Sequence, residues 1–238
     1  MKETAMSDTD LIESAPVVRV VVVDDQATIR LGLTRICNNE ADLSVVGEAG
    51  DGIAALDVVR RTRPDVVLMD VRMPRMDGIE AIRAIVADPT LAQVRTLVLT
   101  TFDDEEYLAG AIAAGAGGFL VKDAEPALLL SAIHRVAAGD AVLDPAVTAR
   151  VVSAYVAGGA PRSADPRVDL LSPRESEVLR AITRGLSNLE IGAELYCSEA
   201  TVKSHVRSML LKLDLVNRVQ LVVFAYEAGI VAVGESEA

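Results

Sequence analysis

Four charged residues in this chain each sit at the end of a short apolar run. Asp24 and Asp25 follow Val20-Val21-Val22-Val23, Asp70 follows Val66-Val67-Leu68-Met69, and Lys122 follows Phe119-Leu120-Val121. Continuous apolar runs of this length read as buried parallel strands. An open α/β sheet places its ligand site beyond the carboxyl ends of such strands. The pattern therefore predicts one pocket holding three carboxylates and one ammonium. Carboxylate oxygens suit a small hard cation, and a lysine supplies a point charge for phosphoryl oxygens. A second constellation lies near the other end. Residues 200–213 contain Lys203, Arg207 and Lys212 and no acid, while Val202, Val206, Met209 and Leu213 recur at spacings of four, three and four. That spacing buries one stripe of a helix and leaves Lys203, Ser204 and Arg207 on the opposite face, as a helix entering a DNA groove requires.

Each residue taken alone has a plainer reading. A strand-end Asp is often a helix cap, an Asp-Asp pair a turn, a lone Lys a solvated side chain, and three basic residues a wet helix face. It is the convergence of charges from three strand ends that favours a pocket.

The elements that would position these groups follow from the pattern. Strands are expected at 17–23, 43–48, 65–70, 94–100 and 117–121, and helices at 27–38, 52–62, 78–87, 104–115 and 125–138. Alternation of this kind implies βαβ units and a doubly wound parallel sheet of five strands. Asp77 with Glu80 forms a capping pair, and Asp103-Asp104-Glu105-Glu106 puts negative charge at a helix start. Residues 157–168 are linker-like, with a short helix expected before them at 145–156. Beyond them the strand signal stops. Ser172-Pro173-Arg174-Glu175 and Ser187-Asn188-Leu189-Glu190 are capping boxes, Ser198 caps a third helix and Asn217 opens a fourth. The support helix would span 188–196 and the basic helix 199–213, the arrangement of a helix-turn-helix. The helix at 217–228, with Val219, Val222, Val223 and Tyr226 on one side, reads equally as a dimer surface or as core.

Composition sets limits. The net charge is −12, yet residues 169–234 carry seven basic and eight acidic residues, so positive charge is local rather than general. A near-neutral DNA-binding domain implies modest affinity as a monomer and a need for dimerisation. Aromatic residues make up only 3% and there is no Trp, which predicts an aliphatic core. Cys37 and Cys197 have no metal-ligand spacing and argue for a reducing compartment. The polar, acidic residues 1–14 do not read as a signal peptide, and the apolar stretch 221–233 is too short to span a bilayer. The expected location is cytoplasmic, with no membrane partner. Neither a P-loop nor a strand-linked Gly-x-Gly-x-x-Gly is present.

Taken together, the chain resembles a bacterial two-component response regulator of the NarL/LuxR (FixJ) type. The receiver signature is Val-Val-Asp24-Asp25, Met-Asp70-Val-Arg-Met-Pro, Leu-Thr100-Thr101 and Phe119-Leu-Val-Lys122. The effector signature is Leu-Ser172-Pro-Arg-Glu175, Gly-Leu-Ser187-Asn188 and Ser198-Glu-Ala-Thr-Val-Lys203-Ser-His-Val. The resemblance implies a flavodoxin-like receiver at 17–140, a linker at 141–168 and a LuxR-type helix-turn-helix domain at 169–234. It implies that Asp70 is the phospho-acceptor, that Mg²⁺ is held by Asp24, Asp25, Asp70 and the Arg72 backbone carbonyl, and that Lys122 pairs with the phosphoryl group. Thr100 and Phe119 would form a switch, against the plainer reading of a strand-end Thr and a core Phe. Lys203, Ser204 and Arg207 would contact base edges and nearby phosphates, with Thr201, His205 and Lys212 contacting backbone or packing. The implied partners are a sensor histidine kinase, promoter DNA, a second copy of the phosphorylated chain and, further, RNA polymerase. Such a protein is no enzyme beyond Mg²⁺-dependent self-phosphorylation and dephosphorylation of Asp70. Two alternatives stand beside it: a receiver used only for assembly, and an Asp-based phosphatase. The latter usually carries a second Asp where this chain has Arg72. Many receivers also place Pro directly after the lysine, whereas here Asp123 follows Lys122 and the geometry of that loop is left open.

Overall fold

In the computed structural model, residues 17–100, 105–143 and 165–231 are described. The expected short helix at 145–156 and the charged residues 103–104, together with Thr101, lie outside them.

The first unit is β1 (Val18–Val23), α1 (Ala27–Asn38), β2 (Leu43–Ala49), α2 (Gly52–Thr62), β3 (Val66–Asp70), α3 (Gly78–Ala87), β4 (Arg95–Thr100), α4 (Glu105–Ala114), β5 (Gly118–Val121) and α5 (Pro126–Ala137). All strand pairs are parallel, in the order β2-β1-β3-β4-β5. Strand order reverses between β1 and β3, the position where such sheets open a ligand crevice. A correction to the five-strand expectation is β6 (Val142–Leu143), a two-residue strand that pairs parallel to β5. It lies in the stretch read as linker. Two residues carry too little periodicity to register as a strand in sequence.

Alternation along the strands divides the core in two. Val21, Val23, Val67, Met69, Val98 and Phe119 face α2, α3 and α4. Val20, Val22, Val66, Leu68, Leu97, Leu99 and Leu120 face α1 and α5. The strands read as unbroken apolar runs because both faces are covered. Asp77 and Glu80 form the expected capping box on α3. Gly78 is required there: a Cβ would lie 2.1 Å from the Asp70 carbonyl oxygen. Its backbone N–H donates to the Val71 carbonyl at 2.9 Å, which seats α3 directly against the end of β3.

The second unit has a 3₁₀ turn (Pro166–Leu170) and then α6 (Pro173–Thr183), α7 (Asn188–Glu194), α8 (Glu199–Leu213) and α9 (Arg218–Glu227). Capping follows the sequence reading: Ser172 with Glu175, Ser187 with Glu190, Ser198 to the Thr201 N–H and Asn217 to the Gln220 N–H. Val202, Val206, Met209 and Leu213 form the buried stripe of α8, against Val178, Leu179, Ile182 and Ile191. Both cysteines are free, and burial pushes the Cys37 thiol up to about 11. Among the described residues, no helix is long and apolar enough to cross a membrane.

Candidate phosphoryl pocket and nucleic-acid interface

The carboxyl ends of β1, β3 and β5 bring the four expected charges together. Carboxylate oxygens of Asp24, Asp25 and Asp70 lie within 4.8 Å of one another. The Lys122 Nζ is 2.7 Å from Asp24 Oδ2 and 2.9 Å from Asp70 Oδ2. Asp24 and Asp70 are buried, Asp25 is exposed and Lys122 is half-buried, so the pocket opens on the Asp25 side. The other Asp24 carboxylate oxygen accepts the Gln26 N–H at 2.8 Å, which fixes the turn after β1.

Burial raises the Asp70 pKa, the bond to Lys122 opposes that rise, and the Asp24 charge adds to it. Burial also works against the charged form of Lys122, but its bonds to Asp24 and Asp70 outweigh burial and its pKa is raised. The pocket thus holds more negative charge than one ammonium can balance. Three convergent oxygens with room on the solvent side fit a Mg²⁺ ion, which keeps several waters and takes only one or two carboxylates directly. Arg72 lies in the loop just past β3 with its side chain exposed. Thr100 ends β4 and is buried, and its backbone carbonyl accepts the Lys122 N–H at 2.8 Å. Phe119 is wholly buried in the face shared with α2–α4. Among the described residues all peptide bonds are trans, so the Lys122–Asp123 bond is trans.

On α8, Thr201, Lys203, Ser204 and Arg207 are exposed on the side away from the core. Lys203 pairs with Glu199 one turn earlier at 2.6 Å. His205 is half-buried. Lys212 is engaged elsewhere: its Nζ is 2.6 Å from the buried Glu175, which also accepts from the Ser208 hydroxyl at 2.7 Å. Burial would raise the Glu175 pKa, but the bonds from Lys212, Ser208 and Ser172 bring it down to about 2.

The helix α9 is neither a free dimer surface nor simply effector core. Val222 belongs to the effector core, while Val219 and Val223 join the receiver's apolar cluster. Asn217 donates to the Ala116 carbonyl at 3.0 Å and Gln220 to the Ile112 carbonyl at 3.0 Å, both at the C-terminal end of α4. Beside this contact, the Arg218 guanidinium donates to Asp140 at 3.2 Å and to the Asn188 side chain at 2.6 Å, and it also reaches the Leu186 carbonyl. The Asn188 amide donates to the same Asp140 oxygen at 2.7 Å. All three side chains are buried, and burial lowers the Arg218 pKa to about 10. Lys203 and Arg207 face a cleft whose other wall is the receiver. Sequence reasoning missed Asp140, Asn188 and Arg218. Asp140 ends a helix–Gly turn, Asn188 sits inside a capping box and Arg218 follows a cap, so each looks local in sequence.

Two family models cover the chain. The response regulator receiver domain matches residues 20–134, and the bacterial regulatory proteins of the luxR family match residues 169–225. The uncharacterized transcriptional regulatory protein YxjL of Bacillus subtilis is 41% identical over 214 residues, covering 90% of this chain and 97% of its own. The nitrate/nitrite response regulator protein NarL of Escherichia coli K12 is 35% identical over 208 residues, covering 87% and 94%. The crystal structure of ChrA, a response regulator in a heme-sensing two-component system, matches with a TM-score of 0.51 at 34% identity, over 91% of this chain and all of that one. With a receiver fold at one end and a capped helix-turn-helix at the other, the chain belongs to the two-component response regulators that carry a LuxR-type effector, and it is a DNA-binding transcriptional regulator.

Proposed function

We propose that Asp70 is the phospho-acceptor of this regulator, with a sensor histidine kinase as donor. The observation that carries the reading is the convergence of Asp24, Asp25 and Asp70 around Lys122 at the strand ends. An Asp70 carboxylate oxygen forms a bond to phosphorus as the bond to the donor breaks, and the donor keeps that electron pair. The transition state is loose, so the protein's work is to position groups and to neutralise charge. Asp24, Asp25, Asp70 and the Arg72 carbonyl would hold Mg²⁺, which supplies charge neutralisation to the phosphoryl oxygens. Lys122 leaves one of its two carboxylate partners to pair with the new phosphoryl group. Thr100, at the end of β4, donates its hydroxyl to the same group, and Phe119 repacks behind it.

The new group adds about −1.5 to −2 charges to the pocket. We infer that this charge biases the receiver against the docked effector, which frees Lys203, Ser204, Arg207 and Thr201 for a DNA groove and frees α9 for pairing with a second copy. Lys212, held by Glu175, positions α8 rather than reading bases. The functional units are the receiver at 17–140, the linker at 141–168 and the effector at 169–234, acting in the cytoplasm, with RNA polymerase as the partner downstream of bound DNA.

The test is intact mass after incubation with acetyl phosphate and Mg²⁺. One phosphoryl group per chain is expected on the wild type and none on Asp70→Ala. Labelling of both alike would reject the assignment. Continuous turnover of acetyl phosphate, rather than slow stoichiometric labelling, would instead favour a phosphatase.

A further inference from the structure

The cleft between the two units is cationic in a protein that is strongly acidic overall. It encloses about 450 Å³, within the range of small-ligand sites. Its charged lining is Arg95, Lys203, Arg207 and Arg218 against a single carboxylate, Asp140. Two of these cations are already compensated, Arg218 by Asp140 and Lys203 by Glu199. The other two are not. Among the described residues Arg95 donates to the Ala92 and Val94 carbonyls and meets no carboxylate, and burial lowers its pKa. Arg207 has no acidic partner among the described residues. One of this pair belongs to the receiver and the other to the effector.

Arg135 stands near enough to Arg218 to lower its pKa further, although its own charge also faces Glu190; its Nη2 donates to the Gly185 carbonyl at 2.9 Å, and its buried Nε has no acceptor among the described residues. Asn188 and Asn217 add neutral polar groups to the same wall. Guanidinium groups that line one half-enclosed space from two domains match tetrahedral oxyanions, which accept from two forks at once.

We propose that this cleft binds a small phosphate-bearing anion, with a diphosphate group bridging Arg95 of the receiver and Arg207 of the effector. Such an anion binds only the docked arrangement, so it shifts the population toward that arrangement by mass action. It also occupies Arg207 directly. The chain would then answer to a soluble anion in opposition to phosphorylation, and DNA binding would fall when that anion is abundant. The site lies at the start of β4, the opposite end of the sheet from the phosphoryl pocket, so the anion touches none of the groups proposed to act there and is linked to them only through the docking equilibrium.

The experiment is titration calorimetry of inorganic pyrophosphate and, separately, ADP into the unphosphorylated full-length chain, free of Mg²⁺ and at constant ionic strength. One site per chain is expected for pyrophosphate, weakened at least tenfold by Arg95→Gln and by Arg207→Gln. Binding of ADP as well would place the ligand among nucleotides, and its exclusion among inorganic phosphates; either supports the site. In a DNA-binding titration, pyrophosphate should lower wild-type affinity at least threefold and leave Arg95→Gln unaffected. Arg95 belongs to the receiver and not to the DNA-reading helix, so this arm separates a bridging anion from plain competition at Arg207. Absence of binding, or equal binding by wild type and Arg95→Gln, overturns the proposal. Loss of DNA binding by every protein without anion would instead count against the functional reading above.

Discussion

The two ends of one sheet carry charge in opposite ways. At the carboxyl end, Asp24, Asp25 and Asp70 crowd around Lys122, and the excess is negative. At the amino end, Arg95, Arg207 and Arg218 line one cleft with Asp140, Arg135 lies beside Arg218, and the excess is positive. The first cluster is made within one domain and the second is completed only when two domains meet. Five residue steps of β4 separate them, about 17 Å at the usual rise of a strand. The effector meets the receiver away from the acidic end, since the carbonyls that receive Gln220 and Asn217 belong to Ile112 and Ala116, in the last turn of α4 and just beyond it. The difference teaches where each kind of charge can be read: a cluster within a fold is specified by its strand ends, whereas a cluster between folds is specified by docking.

The largest effect is expected at the acidic end. Asp70→Ala should abolish Mg²⁺-dependent labelling by acetyl phosphate, read by intact mass, and chelation of Mg²⁺ should do the same to the wild type. Residual labelling of the variant would show that the acidic cluster is not the acceptor site. Next comes the DNA-reading face. Lys203→Ala combined with Arg207→Ala should weaken promoter binding about 100-fold and lower the salt slope by about 2, measured by fluorescence anisotropy over a salt series. An unchanged slope would mean that neither residue meets phosphate.

The buried interdomain pair should give a smaller and opposite effect. Removing one partner of a buried ion pair costs about 3–5 kcal/mol, and here that cost falls on the docked form. Asp140→Ala should therefore raise the DNA affinity of the unphosphorylated chain about tenfold or more and enlarge its radius of gyration in solution scattering. Affinity equal to wild type would show that the Arg218 contact does not hold the domains together.

The smallest effect concerns Glu175. Its folded pKa of about 2 lies below its ordinary 4.5, so it contributes stability that is complete above pH 4.5 and fades as pH falls toward 2. Glu175→Gln should lower the thermal midpoint at pH 7, with the gap to wild type closing on acidification. A gap constant with pH would assign the loss to the helix cap alone.

The receiver was largely legible because its strands are apolar on both faces and end in charge. Boundaries fell within a residue or so, from β1 beginning at Val18 rather than 17 to α5 at Pro126–Ala137 rather than 125–138. The effector was legible through caps, since Ser172, Ser187, Ser198 and Asn217 each make the side-chain bond their position implies. Periodicity could show that Val219 and Val223 are buried, but not against what. Lys212 looked like part of a basic face because its partner Glu175 is 37 residues away and is disguised as a capping residue. The Asp140–Asn188–Arg218 contact had no signal at all, because its three members belong to separate local motifs.

One carboxylate fastens the reading head. Glu175 takes the backbone N–H of Ser172 at the start of α6, the hydroxyl of Ser208 and the amine of Lys212 near the close of α8. These three bonds to one buried carboxylate couple the start of α6 to the second half of α8. If α8 is the helix that enters a DNA groove, as proposed, this tie to α6 favours its arriving with the whole effector rather than tilting alone.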